Sequence, residues 1–138
     1  MSTHEVKTVW AGGMAFDSQI GDHSIRIDNS VKGGGNNTGP LPKPLLLSAL
    51  SGCTGIDVIS ILEKMRVTYT DLAIEVSGTL SEEVPKVYTH IHVTYKIKVA
   101  PEDQDKMVKA VDLSLNKYCG VTVMLSKACP IDHSIEFL

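Results

Sequence analysis

Two cysteines in this chain stand where packing alone gives little reason for a thiol. Cys53 lies inside the apolar stretch Leu45 to Leu62, with Gly52 before it and Gly55 two residues beyond. Each glycine costs a helix about 1 kcal/mol relative to alanine, so a helix with both around one thiol needs backbone or space there for a close approach. Cys119 opens a second predicted helix, where the first-turn amides favour a thiolate, and Lys117 stands two residues before it. A thiolate is a nucleophile, and two thiols brought together form a redox pair. The plainer alternative is that each is a small core hydrophobe, Cys119 packing beside Tyr118. Cys129, just before Pro130, reads as packing. If 120–128 is helical, a rise of about 1.5 Å per residue carries Cys119 and Cys129 beyond the roughly 7 Å over which Cα atoms can be bridged. Pairing of Cys53 with either Cys119 or Cys129 remains open.

Other reactive side chains are weaker candidates. Asp57, one turn beyond Cys53 on the same helical face, raises the thiol pKa if it is charged nearby. Lys43 or Arg26 opposes that effect if the glycine-rich loop folds back. His90 and His92 share one strand face at a spacing that binds metals. Lys96 and Lys98 continue that face without an adjacent acidic or Cys ligand, so a solvated or interfacial face is the better reading and no metal site is expected. His133 reads as a hydrogen-bonded structural histidine. The run Asn36 to Pro40 lacks the Lys-Ser/Thr of a phosphate loop and a strand directly before it.

The elements that must hold these groups follow from pattern. Val6–Ala11, Met14–Gln19 and His23–Asp28 predict a three-stranded meander with Gly12-Gly13 and Gly21-Asp22 at its turns. Asn29 to Pro44 predicts a flexible loop long enough to suggest function or mobility. A helix follows from about Pro44 to Met65, apolar on nearly every face. Such a helix must be covered all round, and a chain of 138 residues has little material for it, so a homodimer is expected. Asp71–Leu80 and Lys86–Val99 predict two strands, the second in strict period two with Ile91, Val93, Tyr95 and Ile97 on its buried face. Pro101, with Glu102 and Asp103 in the first turn, predicts a helix whose stripe runs Met107, Val111, Leu115, Tyr118. Val121–Ala128 predicts a short buried helix and Pro130–Phe137 a closing strand.

Composition narrows the function classes. Net charge is −3, and only Arg26 and Arg66 among 13 basic residues are arginines, so no nucleic-acid stripe is evident. The N-terminus carries no charged-then-apolar leader, and Ser, Gly, Thr and Asp57 interrupt the apolar run from Leu45. Neither membrane nor nucleic acid is therefore an expected partner. A soluble, cytoplasmic protein is expected, and three cysteines do not make a secreted disulfide framework. One domain over residues 1–138 is expected.

The order of meander, glycine-rich loop, long helix with a central Cys, two long strands, helix, Cys at a helix start and final strand resembles the OsmC/Ohr family. The marks are Pro42 through Cys53, Gly55-Ile56-Asp57-Val58-Ile59-Ser60-Ile61-Leu62, and Lys117-Tyr118-Cys119-Gly120-Val121 through His133-Ser134-Ile135-Glu136. The likeness spans essentially the whole chain and is similar to the uncharacterised bacterial OsmC-like branch. It implies an α+β fold with antiparallel sheets around a long central helix, an intertwined homodimer, and thiol sites at the subunit interface. It further implies that Cys53 is the peroxidatic thiol and Cys119 the resolving one. The family's peroxidases pair a glutamate shortly before the first Cys with an N-terminal arginine. Here Lys43 and Pro44 occupy the glutamate region, and Arg26 is the only N-terminal arginine. The leading expectation is a peroxidase reducing organic hydroperoxides through a Cys53 sulfenic acid resolved by Cys119 and recycled by a cellular dithiol, with no metal or organic cofactor. Leu46, Leu50, Ile56 and Met124 are candidate apolar walls. The alternative is a non-catalytic protein binding a small apolar ligand at the dimer interface.

Overall fold

The computed structural model describes residues 2–138. Its contacts divide the chain into two compact units, one ending at Leu46 and one spanning Leu47–Leu138. The first unit is the expected meander, β1 (Val6–Trp10), β2 (Phe16–Ile20) and β3 (His23–Ile27), antiparallel throughout. Val6 pairs with Ile20 and Phe16 with Ile27. Every residue of β1 is exposed.

The long connection after β3 is built, not loose. Asp28 is almost wholly buried, and its carboxylate accepts from the Asn29, Asn36 and Thr38 amides and, at 2.7 Å, from the Thr38 hydroxyl. The Thr38 hydroxyl and amide, with the other two amides, hold the Asp28 carboxyl down to about 2 against its burial. A Cβ on Gly35 would lie 2.3 Å from the Asn29 carbonyl oxygen, so only glycine lets this backbone close over Asp28. The expectation of a flexible loop is corrected accordingly.

The helix α1 (Pro42–Lys64) starts two residues before the expected position, with Pro42 and Pro44 in its first turn. It is long and apolar enough by length and composition to cross a bilayer, and 22% of its most apolar window is buried. One stripe, Leu50, Thr54, Val58 and Leu62, is buried at four-residue intervals. This stripe packs in one core with residues of β5 and of the helices that follow. Leu46 and Ile56 stay exposed, Ile56 at 72%.

In the second unit β4 (Tyr69–Leu80) pairs antiparallel with β5 (Tyr88–Val99). The predicted period-two face of β5 is fully formed, with Ile91, Val93, Tyr95 and Ile97 at 1% exposure or less. Burial of each such apolar side chain stabilises by about 1.5–3 kcal/mol. β6 (Ile131–Phe137) joins the other edge of β5, with Ile91 opposite Ile131 and Ile97 opposite Phe137. This pairing is parallel, which corrects the expectation of purely antiparallel sheets within an otherwise correct α+β class. The connection from β5 to β6 passes through helices rather than a hairpin, and a helical crossover returns the chain in the same direction.

That crossover begins with a 3₁₀ turn (Pro101–Asp103), continues as α2 (Gln104–Leu113), widens into a π turn (Ser114–Tyr118) and ends in α3 (Gly120–Ser126). Met107, Ala110 and Val111 carry the expected stripe inward. The π turn then shifts the register, so Ser114 is buried while Tyr118 is 54% exposed. α3 is not the buried helix expected, since Val123 and Met124 face outward at 47% and 66% exposure.

Candidate functional site

The π turn matters because it delivers Cys119. The Cys119 amide donates to the Ser114 carbonyl at 2.8 Å, five residues back, and the chain leaves this turn extended to make Cys119 the N-cap of α3. The Thr122 amide donates to the Cys119 sulfur at 3.4 Å, the helix-start contact the sequence suggests. Its electrostatic outcome differs from the expectation of a thiolate. Burial pushes the Cys119 thiol up, Thr122 pulls it down, and the neighbouring Cys53 thiol pushes it up again, with a net rise. Cys119 is fully buried, and desolvation outweighs what Thr122 offers the thiolate.

Cys53 meets it from α1. One ligating atom each of Cys53, Asp57 and Cys119, the two sulfurs and a carboxylate oxygen, lies within 4.8 Å of the others. All three cysteines are free, so no disulfide closes this cluster. Cys53 and Asp57 are half-buried and one turn apart on α1, flanking the buried stripe. The two glycines beside Cys53 behave differently. A Cβ on Gly55 would lie 3.0 Å from the Ile74 methyl, a close approach to β4, whereas Gly52 faces no described atom within 4 Å.

Behind the cluster runs a buried chain of hydroxyls that the sequence reading missed. Tyr95 and Thr54 share a hydrogen bond of 2.7 Å, Thr54 and Ser114 another of 2.7 Å, and the Ser114 hydroxyl contacts an Asp57 carboxylate oxygen at 3.0 Å. Ser114 donating to Asp57 leaves its own oxygen to accept from Thr54. Tyr95, Thr54 and Ser114 are fully buried. Burial pushes the Tyr95 phenol up to about 12, against the lowering effect of Thr54. The available signal was Thr54 on the Leu50–Val58 stripe and Tyr95 on the inward face of β5, two polar groups at core positions.

A groove of about 380 Å³ reaches Asp57 between α1 and the crossover, lined by Ile61, Lys64, Met65, Leu113 and Tyr118. Of the apolar walls suggested by sequence, Leu50 is fully buried in the core and therefore not a wall. Leu46, Ile56 and Met124 are exposed.

The supporting cations lie elsewhere in the sequence. Arg26, in the first unit, forms a two-pronged pair with Asp17, at 2.5 Å from Nε and 3.0 Å from Nη2, and its Nη1 donates to the Thr38 hydroxyl at 3.2 Å. That hydrogen bond and charge lower the Asp17 pKa and raise that of Arg26. Lys43 sits in the first turn of α1, nearly three turns before Cys53. Cys129 is buried in the core, as expected. His133 meets the Tyr95 ring edge-on at 6.4 Å, an aromatic contact rather than a hydrogen bond. His90 and His92 do have an acidic neighbour, supplied by β6: Asp132 bonds His90 Nε2 at 2.9 Å and also His92 Nδ1. These bonds, His92 first, hold the Asp132 carboxyl below the usual range.

The model of the OsmC-like protein family matches residues 34–134, which includes α1, both cysteines of the cluster and all but the end of β6. The chain belongs to the OsmC-like protein family. Protein YhfA of Escherichia coli strain K12 is 34% identical to this OsmC-like chain over 133 residues, covering 96% of both. The crystal structure of a hypothetical protein from Aquifex aeolicus VF5 superposes with a TM-score of 0.82 at 28% identity, over 100% of this chain and 99% of that one. An organic hydroperoxide resistance protein from Elizabethkingia anophelis shares the fold, with a TM-score of 0.70 at 13% identity over 100% and 98% of the two chains. The family includes peroxidases, and the OsmC-like fold places the apolar α1 as a core helix rather than a membrane span.

Proposed function

We propose that this OsmC-like protein is a cytoplasmic, thiol-dependent peroxidase for organic hydroperoxides, with Cys53 as nucleophile and Cys119 as resolving thiol. The observation that carries the reading is the convergence of these two sulfurs, 66 positions apart in sequence, to within 4.8 Å beside an accessible groove. A disulfide needs about 2.05 Å between sulfurs, so rotation of the half-buried Cys53 side chain closes the remaining distance.

The Cys53 thiolate attacks the distal peroxide oxygen. The O–O bond breaks, the sulfur becomes a sulfenic acid, and the alkoxide leaves as an alcohol after taking a proton. Cys119, which burial keeps protonated and whose sulfur lies within 4.8 Å of the Cys53 sulfur, is the nearest source of that proton. Having given it up, the Cys119 thiolate attacks the Cys53 sulfur, the S–OH bond breaks and the departing hydroxide takes a proton from solvent to become water, leaving a disulfide that a cellular dithiol reduces with two electrons. The apolar lining from Ile61, Met65 and Leu113 favours an alkyl tail over hydrogen peroxide.

OsmC/Ohr proteins are generally homodimers, and the exposed apolar faces of this chain support the same assembly within a single domain spanning 1–138. Ile56 on α1, Met124 on α3 and Trp10 on β1 are 72%, 66% and 64% exposed. Their coverage by a second copy accounts for apolar area that one protomer leaves open. An Ile56→Asp variant is expected to sediment as a monomer or to lose solubility; an unchanged assembly places the contact elsewhere.

Stopped-flow oxidation of the reduced protein by an alkyl hydroperoxide tests the chemistry. Wild type is expected to form one disulfide per chain, Cys119→Ser to stop at a sulfenic acid trapped by a dimedone-type reagent, and Cys53→Ser not to react. A Cys53→Ser protein oxidised at the wild-type rate refutes the assignment. The competing reading, a non-catalytic protein that binds a small apolar ligand at the dimer interface, draws on the commitment of Arg26 to Asp17 and the absence of the family's glutamate. Native mass spectrometry revealing a retained apolar ligand, together with inert thiols, would favour it.

A further inference from the structure

The same cluster has the composition of a cation site, and the following rests on the proximity of the three groups and extends the peroxidase reading to its regulation. We propose that the reduced protein binds one thiophilic divalent cation, zinc in kind, through Cys53 Sγ, Cys119 Sγ and an Asp57 carboxylate oxygen, and that peroxide expels it.

A tetrahedral zinc ion with bonds of about 2.3 Å to sulfur and 2.0 Å to oxygen separates its ligand atoms by about 3.5–3.8 Å. The three ligating atoms here lie within 4.8 Å of one another, so side-chain rotation of about an ångström per ligand gathers them. Two of the ligands stand one turn apart on a single rigid helix, α1, and the third is fixed by the N-cap of α3. The surroundings hold the ligands as a metal site requires. The Ser114 hydroxyl orients the Asp57 carboxylate at 3.0 Å, leaving its other oxygen available, and the Thr122 amide supports the Cys119 sulfur at 3.4 Å. Two thiolates select zinc, cadmium or cobalt over magnesium or calcium. Three protein ligands leave a fourth position for water, on the side where the groove reaches Asp57.

Coordination makes the site's two functions exclusive. A bound cation displaces the proton of Cys119 and occupies the lone pairs that Cys53 needs for attack, so the loaded protein is a guarded, slower peroxidase. Oxidation of the two metal-bound thiolates by one hydroperoxide, with two protons, yields the disulfide, one alcohol, one water and the free cation. The cation is a competitor for the thiols, not a participant in peroxide cleavage.

Anaerobic titration of the reduced protein with cobalt(II) provides the test. We expect saturation at one equivalent per chain, with near-ultraviolet sulfur-to-cobalt charge-transfer absorption and visible bands of tetrahedral intensity, both abolished by one equivalent of zinc. Cys53→Ser and Cys119→Ser should each lose at least half of the charge-transfer intensity, and Asp57→Asn should weaken binding about tenfold or more while remaining folded by circular dichroism. Cys119→Ala, which removes the sulfur without burying a hydroxyl, separates ligand loss from misfolding. Wild-type cobalt binding in a folded Cys119→Ala protein, or saturation without charge-transfer absorption, overturns the proposal. Peroxide added to the metal-free protein tests the peroxidase reading separately: inert thiols would refute that reading while the cobalt spectrum still decides this one.

Discussion

Thr54 is the residue on which the geometry behind the thiols turns, and its replacement by valine gives a quantitative test. Valine has the same shape as threonine, so Thr54→Val removes one hydroxyl and leaves packing in place. The lost oxygen holds two bonds of 2.7 Å, to the Tyr95 phenol and to the Ser114 hydroxyl, and all three residues are fully buried. Ser114 keeps Asp57 as an acceptor, whereas the Tyr95 hydroxyl loses the only side-chain partner found for it among the described residues. One orphaned buried hydroxyl costs about 1–3 kcal/mol and one further lost hydrogen bond about 1 kcal/mol, so Thr54→Val is expected to lower stability by about 2–4 kcal/mol. Tyr95→Phe alone should cost about 1 kcal/mol, because Thr54 retains Ser114. In the double variant the phenol that valine orphans is gone, so its cost should fall short of the sum by about 1–2 kcal/mol. Urea denaturation of all four proteins at one fixed protein concentration measures this coupling. Additivity within about 0.5 kcal/mol refutes the claim that Thr54 and Tyr95 stabilise the fold through their shared hydrogen bond.

The same groups predict the response to pH and to substitution. Tyr95 titrates near 12 when folded and near 10 when unfolded, so its contribution is complete below pH 10 and is lost as pH rises toward 12, by about 3 kcal/mol; urea midpoints across that range should fall in wild type and flatten in Tyr95→Phe. Asp28 carries the opposite sign, its folded pKa of about 2 lying below the ordinary carboxylate value, so its hold on the loop is complete above pH 4 and is lost as pH falls toward 2. Amide chemical shifts of Asn36 and Thr38 should follow that transition in wild type and not in Asp28→Asn. Gly35→Ala should destabilise by about 1–3 kcal/mol by thermal melting, since its Cβ would meet the Asn29 carbonyl oxygen at 2.3 Å.

Legibility from sequence followed the range of the interaction. Local patterns were readable: the meander, the period-two face of β5, the helix start at Cys119 and the pair of Cys53 with Asp57 at one-turn spacing all depend on near neighbours. Three features were not, two because their partners are distant in sequence and the third because side-chain bonds within an irregular loop leave no periodic pattern. The Tyr95–Thr54–Ser114 chain joins three elements, Asp132 reaches His90 and His92 across parallel strands, and Asp28 ties residues 29 to 38 into an ordered loop. The π turn also escaped, because one extra residue in a helical stripe leaves apolar spacing almost unchanged while moving Tyr118 from core to surface.

The fate of Cys119 illustrates how two legible rules compete. A thiol at a helix start gains from the amide dipoles, and the sequence exposes that rule because the N-cap spacing to Thr122 is local. Burial is not local: it comes from the core that α1 and the helical crossover build around the sulfur, and it decides the sign of the shift. The consequence is a division of labour between the sulfurs. A thiol that keeps its proton is a poor first nucleophile and a good proton donor, which suits Cys119 to the second step and leaves the half-buried Cys53, on the more accessible side of the pair, for the first. Exchanging the environments should exchange the roles. A polar substitution that wets Cys119, such as Leu115→Asn on the half-buried rim of the π turn, should raise its reactivity toward a neutral alkylating reagent at pH 7, read by mass spectrometry of the labelled peptide. Unchanged labelling in a folded variant would mean that burial is not what holds the proton on Cys119.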